Sequence, residues 1–223
     1  MEHQILFDQE LAELKTAILQ MGELVESLIA RSVQALRERN KNLAKSVIKD
    51  DVEVDKLELA IDDRCIGLIA IRQPKAVDLR TIMTGLRIGT DLERIGDLAE
   101  DIAERAIELA EQGLLKPLID IPEMARLAQV AVREVIGAFV DNDADKALAV
   151  WEIEKQVDKL RDAVHDELIE IMSKDGRTVP KAIPLLLVSR HLERIADHAT
   201  NIAEDVVYMV KGKVVKHGGE TKN

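Results

Sequence analysis

The chain has 223 residues, 47% apolar and 33% charged, and its 42 acidic against 31 basic side chains give a formal charge of −11. That much apolar residue can bury a core, which excludes a disordered composition. The acidic balance and 2% aromatic content supply neither the basic stripe nor the stacking platforms of a nucleic-acid binder. A single cysteine, Cys65, rules out an intrachain disulfide and fits a reducing compartment.

MEHQILFDQELAEL at the start lacks the basic and apolar regions of a signal peptide. No apolar run approaches the ~18 residues of a membrane span. The expectation is a soluble cytoplasmic protein that meets a membrane only through partners. Ala, Leu, Ile, Glu, Lys and Arg dominate, the make-up of long helices. Helical periodicity predicts helices over 5–39, 42–72, 76–112, 122–140, 143–173 and 180–211.

Asn40 and Asn42 punctuate the first break. Pro74 closes the second helix, because the residue before a proline is pushed out of the α region. QGLLKPLIDIP, holding Gly113, Pro117 and Pro122, is the longest interruption and the natural boundary between halves. DNDAD at 141–145 offers N-caps to the fifth helix. SKDGRTVP at 173–180 is a turn followed by proline at a helix start. HGGETKN is expected to fray. The fold class is therefore all-α: six long helices forming two similar three-helix bundles in tandem. Residues 1–113 make the first bundle, 120–212 the second, and 213–223 a flexible tail.

One phrase is written twice. LERIGDLAEDIAE (92–104) returns 100 residues later as LERIADHATNIAE (192–204), with nine of thirteen letters unchanged. VDKL at 54–57 reappears at 157–160, an offset of 103. A period near 100 is too long for a solenoid unit and indicates internal duplication of one bundle. Short connections make successive helices antiparallel neighbours.

Each helical residue advances about 100°. With Glu193 at zero, Asp197 lies at about 40°, Asn201 at about 80° and Glu204 at about 20°, while Leu192, Ile195, Ala196, Ala199, Ile202 and Ala203 fall at roughly 180–300°. The third helix repeats this with Glu93, Asp97, Glu100, Asp101 and Glu104. The second carries Asp51, Asp55, Glu58 and Asp62 on one stripe. The fifth carries Glu154 and Asp158, with His165 where the second helix has Asp62. Each half thus offers two acid-x-x-x-Asp pairs: Asp51/Asp55 with Glu93/Asp97, and Glu154/Asp158 with Glu193/Asp197.

An acidic helix stripe is ordinarily a solvated face. Here like charges at i, i+4 repel, a solvated face would more naturally place Lys or Arg at i+4, and the pattern recurs on both helices of both halves. Four facing carboxylates call for a cation. Oxygen ligands suit Mg²⁺, Ca²⁺ or Mn²⁺, and carboxylate-rich helical sites also hold iron. Because the acids oppose the apolar stripe, the site is expected on a face and not in a bundle core. His191 and His198 read as packing residues at the stripe's edge. His165 shares the acid face, as a mixed-site ligand or an exposed side chain. Arg94 and Arg194 would form ion pairs or orient the carboxylates, and Cys65 reads as a core thiol.

No Gly-rich phosphate loop, G-x-S-x-G, H-E-x-x-H or Cys/His zinc pattern is present. Nothing marks a nucleophile or a substrate pocket. A metal-dependent phosphoester hydrolase or a metal-storage helical protein is the alternative the same carboxylates allow.

RQPKAVDLRTIMTGLRIGTDLERIGDLAEDIAER (72–105), joined to LLLVSRHLERIADHATNIAEDVVYMVKG (185–212), resembles the PhoU family of phosphate-transport accessory proteins. The resemblance covers nearly the whole chain. It implies two similar three-helix bundles and no catalysis. It further implies a homodimeric, metal-binding regulatory adaptor that negatively regulates phosphate uptake and the starvation response. That adaptor would link a PstB-like transporter ATPase to a PhoR-like sensor histidine kinase, with no nucleic-acid partner. The metal, on this likeness, is Fe, Mn, Mg or Zn. Carried over, the metal positions are Asp51, Asp55, Glu93, Asp97, Glu154, Asp158, Glu193 and Asp197, with Asp101 and Asn201 one turn further on. The endings LAED and HATN differ, which predicts the Asp101 side as the more acidic site and the Asn201 side as the less.

Overall fold

The computed structural model describes residues 2–113, 115–216 and 219–220. The helices are α1 (Glu2–Glu38), α2 (Lys41–Arg72), α3 (Ala76–Leu109), α4 (Asp120–Asp141), α5 (Ala144–Leu148), α6 (Val150–Lys174) and α7 (Val179–Lys211). Two-residue strands β1 (Val215–Lys216) and β2 (Gly219–Glu220) pair antiparallel, with Val215 opposite Glu220. Residues 217–218 and 221–223 of the expected tail lie outside the described residues.

The breaks follow local chemistry. Asn40 caps α2, its Oδ1 accepting from the backbone N–H groups of Asn42 and Leu43 at 3.1 Å. Gln73, at φ 49°, ends α2 in the left-handed region ahead of Pro74. Asn142 closes α4 the same way at φ 54°, and the Asp143 side chain caps α5. The expected fifth helix, 143–173, is in fact two pieces. At Ala149 the chain stays right-handed, at φ −64° and ψ −21°, and the Glu152 N–H bonds back only three residues, to the Ala149 carbonyl at 3.2 Å. The interruption is a tightened turn, and single-residue propensities at 147–150 carry no sign of it.

α1, α2 and α3 pack as one three-helix bundle, and α4, α6 and α7 as its counterpart. The two are joined laterally as well as by the linker: α3 lies against α7 and α1 against α4. One apolar cluster runs through both, from Leu14, Ile18 and Met21 through Ile88 and Ile95 to Phe139, Val164, Val188 and Ile195, all fully buried. Polar ties fix the register. Arg80 Nε donates to the Met209 carbonyl at 3.2 Å, Arg87 pairs with Asp205 at 2.7 Å, and Lys15 Nζ donates to the Val140 carbonyl at 2.9 Å. Among the described residues no helix is long and apolar enough to cross a membrane.

Candidate metal centre

The antiparallel pairing of α2 and α3 brings together Asp51, Asp97 and Glu100, each offering an oxygen within 4.8 Å of the others. Relative to Glu93, Asp97 sits at about +40° and Glu100 at about −20°, on the flank of α3 that meets α2. Asp51 is the deepest of the three. It is 5% exposed, and its Oδ1 is buried without a hydrogen-bond partner. It presses on a point of α3 that carries no side chain: a Cβ on Gly96 would lie 2.6 Å from that oxygen.

The electrostatics are those of crowded acids. Burial first, then the charges of Glu100, Asp55 and Asp97, push the Asp51 carboxyl up to about 7. Glu93, Glu100 and Glu58 are also raised, each by burial first and then by neighbouring carboxylates. Of those charges, Asp97 acts most strongly on Glu93, Glu104 on Glu100 and Asp62 on Glu58. Glu93 Oε2 and Asp62 Oδ1 are buried and accept no hydrogen bond. Arg94 offers partial relief, paired with Asp97 at 2.8 Å and Glu93 at 3.3 Å.

Asp101 does not join this group. At about 80° from Glu93 it lies on the flank facing α7, its carboxylate 3.6 Å from His191 Nδ1. Glu100, which the rotation already put on the stripe but the carried-over positions omit, takes the place next to Asp51. The acids are also less exposed than a solvated face would be. Asp51 and Glu193 are 5% and 6% exposed, because the stripes lie along the seams where α2 meets α3 and α6 meets α7.

The second half repeats the acids and changes their company. Burial raises Glu154, Glu193 and Asp197; Asp158 is the leading charge on Glu154 and Asp197, and Asp197 on Glu193. Glu193 Oε1 accepts from Arg161 at 3.2 Å and Arg190 at 2.5 Å. Arg161 also reaches Asp162 at 2.8 Å and Asp158 at 3.6 Å. By the repeat offsets, Arg161 stands where the first half has Glu58, and Thr200 where it has Glu100. The seam opens into a cleft of about 600 Å³ lined by Trp151, Glu154, Lys155, Asp197, Thr200, Asn201 and Glu204. The asymmetry expected from the endings is present, then, but Glu100/Thr200 and Glu58/Arg161 carry it into the seams, not Asp101/Asn201.

The remaining side chains fall as follows. His198 Nδ1 lies 2.8 Å from Asp91 across the α3–α7 contact, so both stripe-edge histidines pack between the halves. His165 is half-buried, and burial lowers its pKa. Arg194 is exposed and makes no ion pair among the described residues, unlike Arg94. Cys65 is fully buried, and burial pushes its thiol up to about 12, which leaves it inert.

The first-half donors are all carboxylate oxygens, one of them an orphaned buried atom. That set fits a hard cation, which would satisfy Asp51 Oδ1 and offset the repulsion that raises its neighbours. The model of the PhoU domain matches residues 18–106 and again 121–206. A phosphate-specific transport system accessory protein PhoU homolog of Aquifex aeolicus is 43% identical over 94% of this chain and 95% of its own. Its counterpart in Rhizobium meliloti is 40% identical over 92% and 87%. The crystal structure of PhoU from Pseudomonas aeruginosa superposes with a TM-score of 0.88 at 38% identity, covering 92% of this chain and 99% of that one. That of the phosphate transport system regulatory protein PhoU from Streptococcus pneumoniae gives 0.87 at 31%, covering 94% and 99%. With two domain matches at the spacing of the duplicated phrase and relatives aligned along nearly their full length, the chain belongs to the PhoU family of phosphate-transport accessory proteins.

Proposed function

We propose that the chain is a cytoplasmic, metal-bearing regulatory adaptor. When phosphate is plentiful it restrains uptake and holds off the starvation response, linking the transporter's ATPase subunit to a membrane sensor kinase. The observation that carries the metal reading is the convergence of Asp51, Asp97 and Glu100 around a 5% exposed carboxylate whose Oδ1 has no hydrogen-bond partner. Family membership supports the adaptor role. Asp51, Asp97 and Glu100 would hold the ion, with Asp55 and Glu93 next along the seam. Among Fe, Mn, Mg and Zn, an all-oxygen set favours the harder ions over Zn. When bound, the ion supplies positive charge that ties α2 to α3. The residues' own part is to present oxygens from two helices at one point, so that an ion there fixes the seam a partner would meet. The adaptor acts as a homodimer, for which the exposed apolar side chains Val52, Leu59 and Ile66 on the outer face of α2 are the supporting feature.

The test is a strain whose chromosomal copy carries Asp97→Ala with Glu100→Gln. Expressed at the normal level, it should carry fewer metal ions per chain and switch on phosphate-starvation genes in high phosphate. Unaltered repression together with lost metal would sink the regulatory role of the site.

A further inference from the structure

Two positions that touch differ together between the halves. Gly96 and Asp51 in the first correspond, by the repeat offsets, to Ala196 and Glu154 in the second. Glycine in a helix interior costs up to ~1 kcal/mol relative to alanine, and Gly96 has no left-handed backbone to justify it: Gly212 is the one glycine with positive φ among the described residues. What Gly96 provides is space. A Cβ there would stand 2.6 Å from Asp51 Oδ1 and 3.2 Å from Val54 Cγ1. The nearer contact is far inside van der Waals range, so an added methyl group must displace that oxygen. The tenant of that space is a buried polar oxygen with no partner, a poor choice if close helix packing were the only purpose.

In the second half Ala196 is fully buried, so a methyl group stands at the repeat position where the first half has none. The residue opposite is one methylene longer, and Glu154 lines the open cleft instead of the floor of the seam. Short acid goes with no side chain, long acid with a methyl.

We infer that Gly96 is a positioning residue for the deepest ligand of the first-half metal site: it lets Asp51 lie against the α3 backbone beneath Asp97 and Glu100. The Ala196–Glu154 pair builds a shallower site in the second half. The inference rests on the metal-binding reading above.

The experiment is equilibrium dialysis of the full chain against Mn²⁺ with elemental analysis, in an Asp197→Asn background that weakens the second half. Thermal melts are run in parallel after chelation. Gly96→Ala should lose at least about tenfold in Mn²⁺ affinity while its metal-free form melts no lower than the parent, since alanine favours the helix and frees a buried acid. Asp51→Glu combined with Gly96→Ala imports the second-half pair and should recover most of the affinity. Gly96→Ala that binds as tightly as the parent, while Glu100→Gln does not, overturns this inference and leaves the metal site standing. So does a metal-free Gly96→Ala that melts well below the parent with no recovery in the double variant. A parent and a Glu100→Gln variant with equal uptake remove the metal site, and the role of Gly96 with it.

Discussion

Asp51 shows what the seam does to a side chain. Its carboxyl is pushed up to about 7 from the ordinary 3.8, so the folded chain keeps a proton there that the unfolded chain gives up above about pH 4. By linkage, the metal-free fold loses stability as pH rises between about 4 and about 7. Asp51→Asn lacks that slope. Melted in chelator, the variant should gain on the parent between pH 5 and pH 8, and a difference that stays constant across that range would refute the assignment. At this scale the sequence was readable up to a rotation. Helix angles put Asp97, Glu100 and Asp101 on one broad stripe, but angles do not say which flank meets α2 and which meets α7. That depends on neighbour packing, and it separates Glu100 from Asp101. Arg161 is hidden for a plainer reason. Identical letters reveal the repeat, and the change from Glu58 to Arg161 lies where the letters differ.

Helices were the easiest elements to find, because long amphipathic segments with Asn caps and proline stops leave few alternatives. α2 also displays a feature without a counterpart. Val52, Leu59 and Ile66 recur every seven residues on its outer side and are 51%, 62% and 61% exposed. The second half has Lys155, Asp162 and Ile169 there. A seven-residue apolar seam suits a second helix, and a seam on one helix is self-complementary about a two-fold axis. In the homodimer proposed above, setting Leu59 opposite its own copy would bring Val52 against Ile66 of the partner subunit and Lys56 beside Asp63 of the partner subunit. Leu59→Lys with Ile66→Lys should therefore halve the mass measured by light scattering at unchanged helicity. A double variant with the parent's mass would move the dimer surface elsewhere.

As a whole the molecule is less divided than its sequence suggests. The linker with Gly113, Pro117 and Pro122 reads as a boundary, yet the apolar cluster crosses it through α3–α7 and α1–α4. Lateral contacts between residues over a hundred positions apart leave no local signature in either. A continuous core predicts one cooperative calorimetric transition for the metal-free chain. Two separated transitions would mean that the halves melt independently.

The α3–α7 contact bears on the duplication. Its ties run antiparallel, Arg80 to Met209, Asp91 to His198 and Asp101 to His191, so a repeat helix lies against its own duplicate in the arrangement of an isologous dimer. A single repeat standing alone would leave that face of its third helix bare, and a second copy is the cover that fits it. Held in one chain, the two copies need not be alike: one has the glycine and the short acid, the other the arginines and the open cleft.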